Sequence, residues 1–318
     1  MGGRCSGASV VARFGVGGVI EVRAARTDDE ARLYLDTNAR IHPGTGTLEG
    51  FRHRERTWNS FHAIAFLDGE PSGTGWTGPR QQSALCCGFG TVPALRGQGV
   101  GTALYLAISD SARSSEVEGL FLEVLAADPE SLEWVERRGF TEVERQDALA
   151  LDLTSLTPRP VDVPEGVEIV TRAERPDLAR QMYGVGVVAA RDIPGLDGSS
   201  DPSFESWSAF EVERPSRDAE LCFIALAESR VIGFASLDVF PDDVFHGLTA
   251  VAREWRGRGV GAALKRSQIA AAKERGFPRL LTESQHDNEP MRRLNEKLGF
   301  RPEPSLSTIV LRGPLAGR

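Results

Sequence analysis

Two kinds of apolar spacing alternate along the chain. Short solid or period-two runs at residues 20–23, 64–67, 83–92, 120–124 and 148–151 read as strands. A second series follows at 167–171, 222–227, 231–239, 246–251 and 280–283. Stretches with helical spacing lie between them. Thr27, followed by Asp28, Asp29 and Glu30, supplies a cap and first-turn acids for a helix ending near Ala39. Leu104, Ala107, Ile108 and Ala112 form the apolar stripe of a helix opening at Gly101. Met291, Leu294 and Leu298 form another, with Pro290 in its first turn, and Gly139 stops a short helix begun at Pro129. Asp68-Gly69 turns a hairpin into a Gly-rich strand from Ser72. Residues 40–61 carry neither pattern and read as irregular, and 1–18 read as a disordered tail. Pro158, Pro160 and Pro164 make 154–166 a stiff linker, with domains expected at 19–153 and 167–318.

The second series repeats the first. Ile64 to Phe140 lies over Ile224 to Phe300 at a constant offset of 160. From Arg96 to Phe140, thirteen of forty-five positions are identical, far above chance for a fixed register, so a whole domain is duplicated. The most alike stretches are Arg96-Gly97-Gln98-Gly99-Val100-Gly101 and Arg256-Gly257-Arg258-Gly259-Val260-Gly261, each running into an Ala/Leu helix. Such a turn lets several backbone N–H groups converge on one anion, and the helix adds the positive end of its dipole. Gly257-x-Gly259-x-x-Ala262, with Glu283 downstream, also fits a dinucleotide fingerprint, but Thr102 breaks it in the first copy. The first-strand match is offset by about 148, so about twelve extra residues fall within 184–220 of the second half. There Phe204, Trp207 and Phe210 stand at helical spacing, fitting a helix packed on the core or the wall of an acceptor pocket.

The loop opening a helix, then a strand, then Asn288-x-x-Met291-x-x-Leu294-x-x-x-Leu298-Gly299-Phe300, resembles the GNAT superfamily of acyl-CoA-dependent N-acetyltransferases. The resemblance covers nearly all of both halves. It implies an α+β fold: two tandem domains, each a mostly antiparallel twisted sheet flanked by helices. It also implies that acetyl-CoA is the acyl donor, held by Arg256, Gly257, Arg258, Gly259, Val260 and Gly261, with Val251 on the preceding strand and Asn288 near the thioester. Arg96, Gly97, Gln98, Gly99, Val100 and Gly101 would form the matching cradle in the first half. The family's usual Tyr acid, five residues before the Phe, is replaced by Asn295 and by Val135. Asp128 stands where the second half keeps Asn288, which makes the second half the better catalyst. Glu283, at a strand end, is the first choice of base, with Asp238, Asp242, Asp243 and His246 as further candidates.

The expected reaction is direct attack of a small-molecule amine on the thioester. A non-catalytic acyl-CoA sensor or scaffold is the alternative that the missing Tyr motivates, and NAD binding rests on one motif copy. Net charge is −8, which argues against nonspecific nucleic-acid binding. No run reaches membrane-spanning length, so a cytoplasmic monomer or homodimer is expected. Cys5, Cys86, Cys87 and Cys222 lack metal spacing and read as free thiols. His42, His53 and His62 also fit no ligand pattern; they read as lining a pocket or facing solvent, with no metal expected.

Overall fold

The computed structural model describes residues 10–13, 18–42, 46–81, 83–193, 201–240 and 243–317. In chain order the first elements are Val10–Arg13 (β1), Val19–Ala24 (β2), Asp28–Ala39 (α1), Leu48–Trp58 (α2), His62–Leu67 (β3), Glu70–Gln81 (β4) and Ala84–Thr91 (β5). Val100–Arg113 (α3), Gly119–Leu125 (β6), Pro129–Glu136 (α4) and Thr141–Asp152 (β7) follow. Then come Val167–Thr171 (β8), Ala179–Ala190 (α5), Phe204–Glu211 (α6), Phe223–Ala227 (β9), Arg230–Val239 (β10) and Val244–Val251 (β11). Val260–Glu274 (α7), Arg279–Gln285 (β12), Glu289–Leu298 (α8), Arg301–Pro302 (β13) and Thr308–Pro314 (β14) complete the chain.

Two compact units result, and they do not divide at the proline-rich segment. The first holds residues 1–124, 129–143 and 310–318; the second holds 125–128 and 144–309. Most of β7 therefore belongs to the second unit, where residues 146–152 pair antiparallel with β12. Most of β14 belongs to the first. Tyr105 Oη donates to Pro314 O at 2.8 Å and Ala316 N to Ser109 Oγ at 2.9 Å. Gly313 lies so close against the Phe140 ring that a Cβ there would overlap it. The hydrophobic pattern marks strands but not their partners, which is why this exchange is absent from the sequence reading.

The first unit's strands run β1-β2-β3-β4-β5 antiparallel, with β5 and β6 parallel. The second unit's run β8-β9-β10-β11 antiparallel, β11 and β12 parallel, and β12-β7 antiparallel. Apolar faces of α3 and α7 cover these sheets. Val100, Ala103, Leu104 and Ala107 pack on Ile20, Val22, Ala63 and Ala65; Val260 and Leu264 pack on Ala225, Ile232 and Ala235.

Two local expectations are revised. Val10–Arg13, read as tail, pairs antiparallel with Val19–Val22; Cys5 lies outside the described residues. Within 40–61, Leu48–Trp58 is a helix, capped by Thr47 Oγ1 accepting from Gly50 N at 3.0 Å. Its charged run hides a single core anchor, Phe51, which packs edge-on to Tyr34 and stacks on His62 at 4.0 Å. His62 is thus a core residue; burial pushes its imidazole down to about 3. His53 is buried too, and His42 is exposed.

The expected α1 cap is present and reciprocal. Thr27 Oγ1 accepts from Glu30 N at 3.2 Å, and Glu30 Oε2 accepts from Thr27 N at 2.9 Å. Thr27→Ala is expected to cost about 1 kcal/mol of stability, read from the shift in urea midpoint at constant slope.

Candidate functional site

Both glycine loops close with the same backbone. Gly97 and Gly99 have φ of 78° and 90°, and Gly257 and Gly259 have 72° and 89°. These are left-handed conformations that a side chain disfavours, and they turn successive N–H groups toward one concavity. Neither helix has a side-chain cap at its start. Nothing stands within 4 Å of where a Cβ on Gly97 or Gly257 would be, and Gly259 meets only Pro164 Cγ at 3.6 Å. A phosphate-sized anion fits such an open, uncapped helix start.

The arginines of the second loop brace it. Arg256 Nε donates to Val251 O at 3.0 Å, and its guanidinium pairs with Asp192 at 2.8 Å. Arg253 also binds Asp192, and these two arginines hold its carboxyl well below the usual range. Arg258 is exposed and stacks on Trp255 at 5.1 Å. Asn288 caps α8, its Oδ1 accepting from Met291 N at 3.3 Å. In the first loop, Arg96 pairs with Glu130 at 3.6 Å.

The halves part company in the sheet beside the loops. β11 and β12 pair only at Val244↔Leu280 and Phe245↔Leu281, then separate. β11 also bulges: Ala235 faces Thr249 but Leu237 faces His246, so Gly247 and Leu248 together oppose Ser236. A cavity of about 370 Å³ opens there, its wall including His246, Gly247, Leu248, Glu283 and Asp238. In the first unit β5 and β6 separate in the same way, after Cys86↔Phe121. At the equivalent place Trp76 faces Gly88 and Thr77 faces Cys87; the register shifts only after Thr77, before Arg80↔Leu85, so the extra residue falls on β4 and not on β5. The Trp76 ring lies against Gly88, where a Cβ would sit 2.5 Å from its Nε1. Farther along β5, Phe89 stacks with Tyr105 and meets Trp134 edge-on, and Arg138 covers Trp134 at 3.4 Å while donating to Thr102 Oγ1. The second unit has Thr249, Lys265 and Leu294 in those registers.

The cavity is ringed by charge. Arg217 pairs with Glu211 at 3.1 Å and Asp238 at 3.4 Å, and also hydrogen-bonds Ser236. Arg214 binds Asp238 at 2.8 Å and lies over the Phe210 ring. Burial pushes the Glu211 carboxyl up, against the pull of Arg217 and Arg214. Burial also holds the His246 imidazole well below its ordinary value, helped by the charge of Lys265.

Of the residues expected here, Glu283, Asp238 and His246 reach the cavity. Glu283 is exposed on β12, opposite Ala148. Asp243 instead binds Arg279 at 2.7 and 3.0 Å, and Asp242 lies outside the described residues. The segment with aromatic spacing packs on the core and borders the cavity. Trp207 is buried against Phe234, and Phe210 lines the cavity. Glu211, Arg214 and Arg217 were missed. Their signal is that they carry the three- to four-residue spacing of Phe204 and Trp207 beyond the end of α6 at Glu211. Among the described residues, no group of three or more His, Cys, Asp or Glu side chains could hold a metal ion. No helix among them is long and apolar enough to cross a membrane.

Set against known proteins, residues 27–140 and again 191–300 match the acetyltransferase (GNAT) family. The chain belongs to that family and carries its domain twice. Over 89 residues it is 32% identical to N-alpha-acetyltransferase 30 of Schizosaccharomyces pombe, a match covering 26% of this chain and 57% of that protein. The chain thus spans little more than half the length of this curated relative. The fold is shared with a tandem GNAT protein from the clavulanic acid biosynthesis pathway, with a TM-score of 0.75, 20% identity, and coverage of 94% and 99% of the two chains. A GCN5-related N-acetyltransferase from Sphaerobacter thermophilus superposes with a TM-score of 0.68, 19% identity, and coverage of 94% and 96%.

Proposed function

We propose that the protein is an acetyl-CoA-dependent N-acetyltransferase whose second unit is catalytic and whose acceptor is a small amine. The observation that carries this is the bulge in β11 against β10, beside a charged cavity, on the strand that leads into the Gly257–Gly261 loop. The first unit has the loop, but Trp76 and the Phe89–Tyr105–Trp134 cluster stand in the registers where the second unit has Ser236, Thr249, Lys265 and Leu294. The family membership and the N-acetyltransferase relative support the reaction class.

Acetyl-CoA supplies an activated acyl carbonyl. Backbone N–H groups of residues 257–261 would hold its pyrophosphate at the start of α7. Asn288 uses its Oδ1 for the α8 cap, which leaves the amide NH₂ for the cofactor. The bulge at Gly247 and Leu248 takes a residue out of the ladder, and a backbone N–H released this way is a donor for developing negative charge on the acyl oxygen. Glu283, exposed in the cavity wall, would take the proton of the incoming ammonium.

The test is release of CoA from acetyl-CoA in the presence of a panel of primary amines, including peptides with free N-termini. No release above background with any of them would leave a binding protein rather than an enzyme. Glu283→Gln is expected to lower turnover about 10²-fold with acetyl-CoA affinity unchanged. Equal turnover would place the base elsewhere.

A further inference from the structure

Behind the cavity of the second unit lies a set of buried polar groups with no use in the reading so far. His246 on β11, Gln268 on α7 and Asn295 on α8 are 8%, 0% and 0% exposed. Among the described residues, both polar side-chain atoms of each make no hydrogen bond, and neither does Ser284 Oγ on β12. Lys265, one turn before Gln268, is 1% exposed and has no acidic partner among the described residues; its Nζ lies 5.7 Å from the Phe300 ring centroid. The His246 ring lies 5.5 Å from the same centroid. Asn295 is joined to Phe300 through the backbone, its carbonyl O accepting from Phe300 N at 3.1 Å. Gln268 lies beside His246 and raises its proton affinity against the effect of burial.

Buried polar groups left unpaired are costly, and a protein that keeps several together has something for them to hold. The duplicated half shows that the fold does not require them. In the same registers it carries Cys86, Tyr105, Ile108, Val124 and Val135 in place of His246, Lys265, Gln268, Ser284 and Asn295. Its Tyr105 is satisfied by Pro314 O. One copy thus has an ordinary core where the other has a polar cell, and His246 and Ser284 also line the cavity.

We propose that this cell holds water and that Lys265, acting through it, supplies the proton to the departing thiolate of the acyl donor. The proposal rests on the acetyltransferase reading above. The balance closes. The amine, deprotonated at Glu283, forms a C–N bond to the acyl carbon with its lone pair. The C–S bond breaks with its electron pair on sulfur, which takes a proton from the Lys265 ammonium through water. The new amide nitrogen sheds its second proton, which restores Lys265, so one proton in all passes to solvent. Burial suits the lysine to this: it pushes the ammonium down to about 7, so both forms are populated near neutrality. The charged and titratable groups that border the cell and the adjoining cavity are His246 from β11, Asp238 from β10, Glu283 from β12, and Glu211, Arg214 and Arg217 from the end of α6 and the turn after it. Asn295 from α8 is uncharged, and β9 contributes none. Asp238 is already engaged by Arg214 and Arg217.

The chain has three lysines, Lys265, Lys273 and Lys297, so ¹³C-lysine NMR of the full protein resolves the matter directly. Lys265→Met assigns its resonance; if that variant fails to fold, Lys273→Arg and Lys297→Arg assign it by elimination. One resonance is expected to titrate near neutrality. Saturating CoA is expected to restore ammonium signal above about pH 8.5, where the thiol ionises and the thiolate favours the ammonium, whereas desulfo-CoA is not. A lysine that is merely buried responds alike to both ligands, and that result, or an ordinary lysine titration, overturns the proposal. If calorimetry finds that neither CoA nor acetyl-CoA binds at all, it is the acetyltransferase reading itself that fails.

Discussion

Gly259→Glu is expected to abolish acetyl-CoA binding to the second unit, with Gly99→Glu leaving it intact. The residue is the N-cap of α7 at a φ of 89°, in front of a first turn that no side chain caps. A Cβ there meets only Pro164 Cγ at 3.6 Å, so the side chain can be accommodated and the chain still folds. Strain from the left-handed backbone costs about 1–2 kcal/mol. The larger effect is functional. The new carboxylate lies where the pyrophosphate would, among the same N–H groups, and replaces attraction with like-charge repulsion. A loss of affinity on the order of 10²-fold or more follows from losing even about 3 kcal/mol of anion binding. Calorimetric titration of acetyl-CoA into wild type and both variants measures it. Undiminished affinity in Gly259→Glu would move the cofactor out of the cradle. A site lost only in Gly99→Glu would transfer the chemistry to the first unit.

Removing residues 310–317 is expected to destabilise the first unit selectively, although they are distant from it in sequence. Leu311 is 1% exposed, Gly313 abuts Phe140, and Pro314 and Ala316 satisfy Tyr105, Ser109 and Arg113. Losing one buried Leu costs about 2–5 kcal/mol, and each hydrogen bond adds about 1 kcal/mol. The sum is comparable to the whole stability of a domain. Hydrogen exchange should show protection lost over residues 19–124 and kept over 144–309. Uniform loss across the chain would mean that the two units unfold as one.

Much of this architecture could be read from the sequence, because the duplication checks itself. Arg-Gly-x-Gly-Val-Gly followed by Ala-Leu predicted two equivalent helix starts, and both have the same backbone. Strand 167–171 and the cap at Thr27 fall where the pattern placed them. Three things were not readable, each for a physical reason. The helix Leu48–Trp58 buries little besides Phe51 and His53, so its periodicity is drowned by charge. The strand Thr308–Pro314 alternates correctly, but nothing local says which sheet receives it. Lys265 and Gln268 look like the solvated face of α7, since polar residues at helical spacing usually are. The one available signal was the register of the other copy, where Tyr105 and Ile108 are apolar. A polar residue against an apolar twin marks where the two copies have diverged in purpose.

The return of the last strand to the first unit has a consequence for synthesis. Residues 1–143 leave the ribosome without the segment that covers Phe140 and Tyr105. At about 5–20 residues per second, the nascent first half waits on the order of ten seconds or more, with an incomplete sheet edge. The second unit, closed once residue 309 is made, is complete first. The half translated earlier therefore finishes folding later, and in that interval its open edge is where a chaperone would bind or a neighbouring chain would mispair.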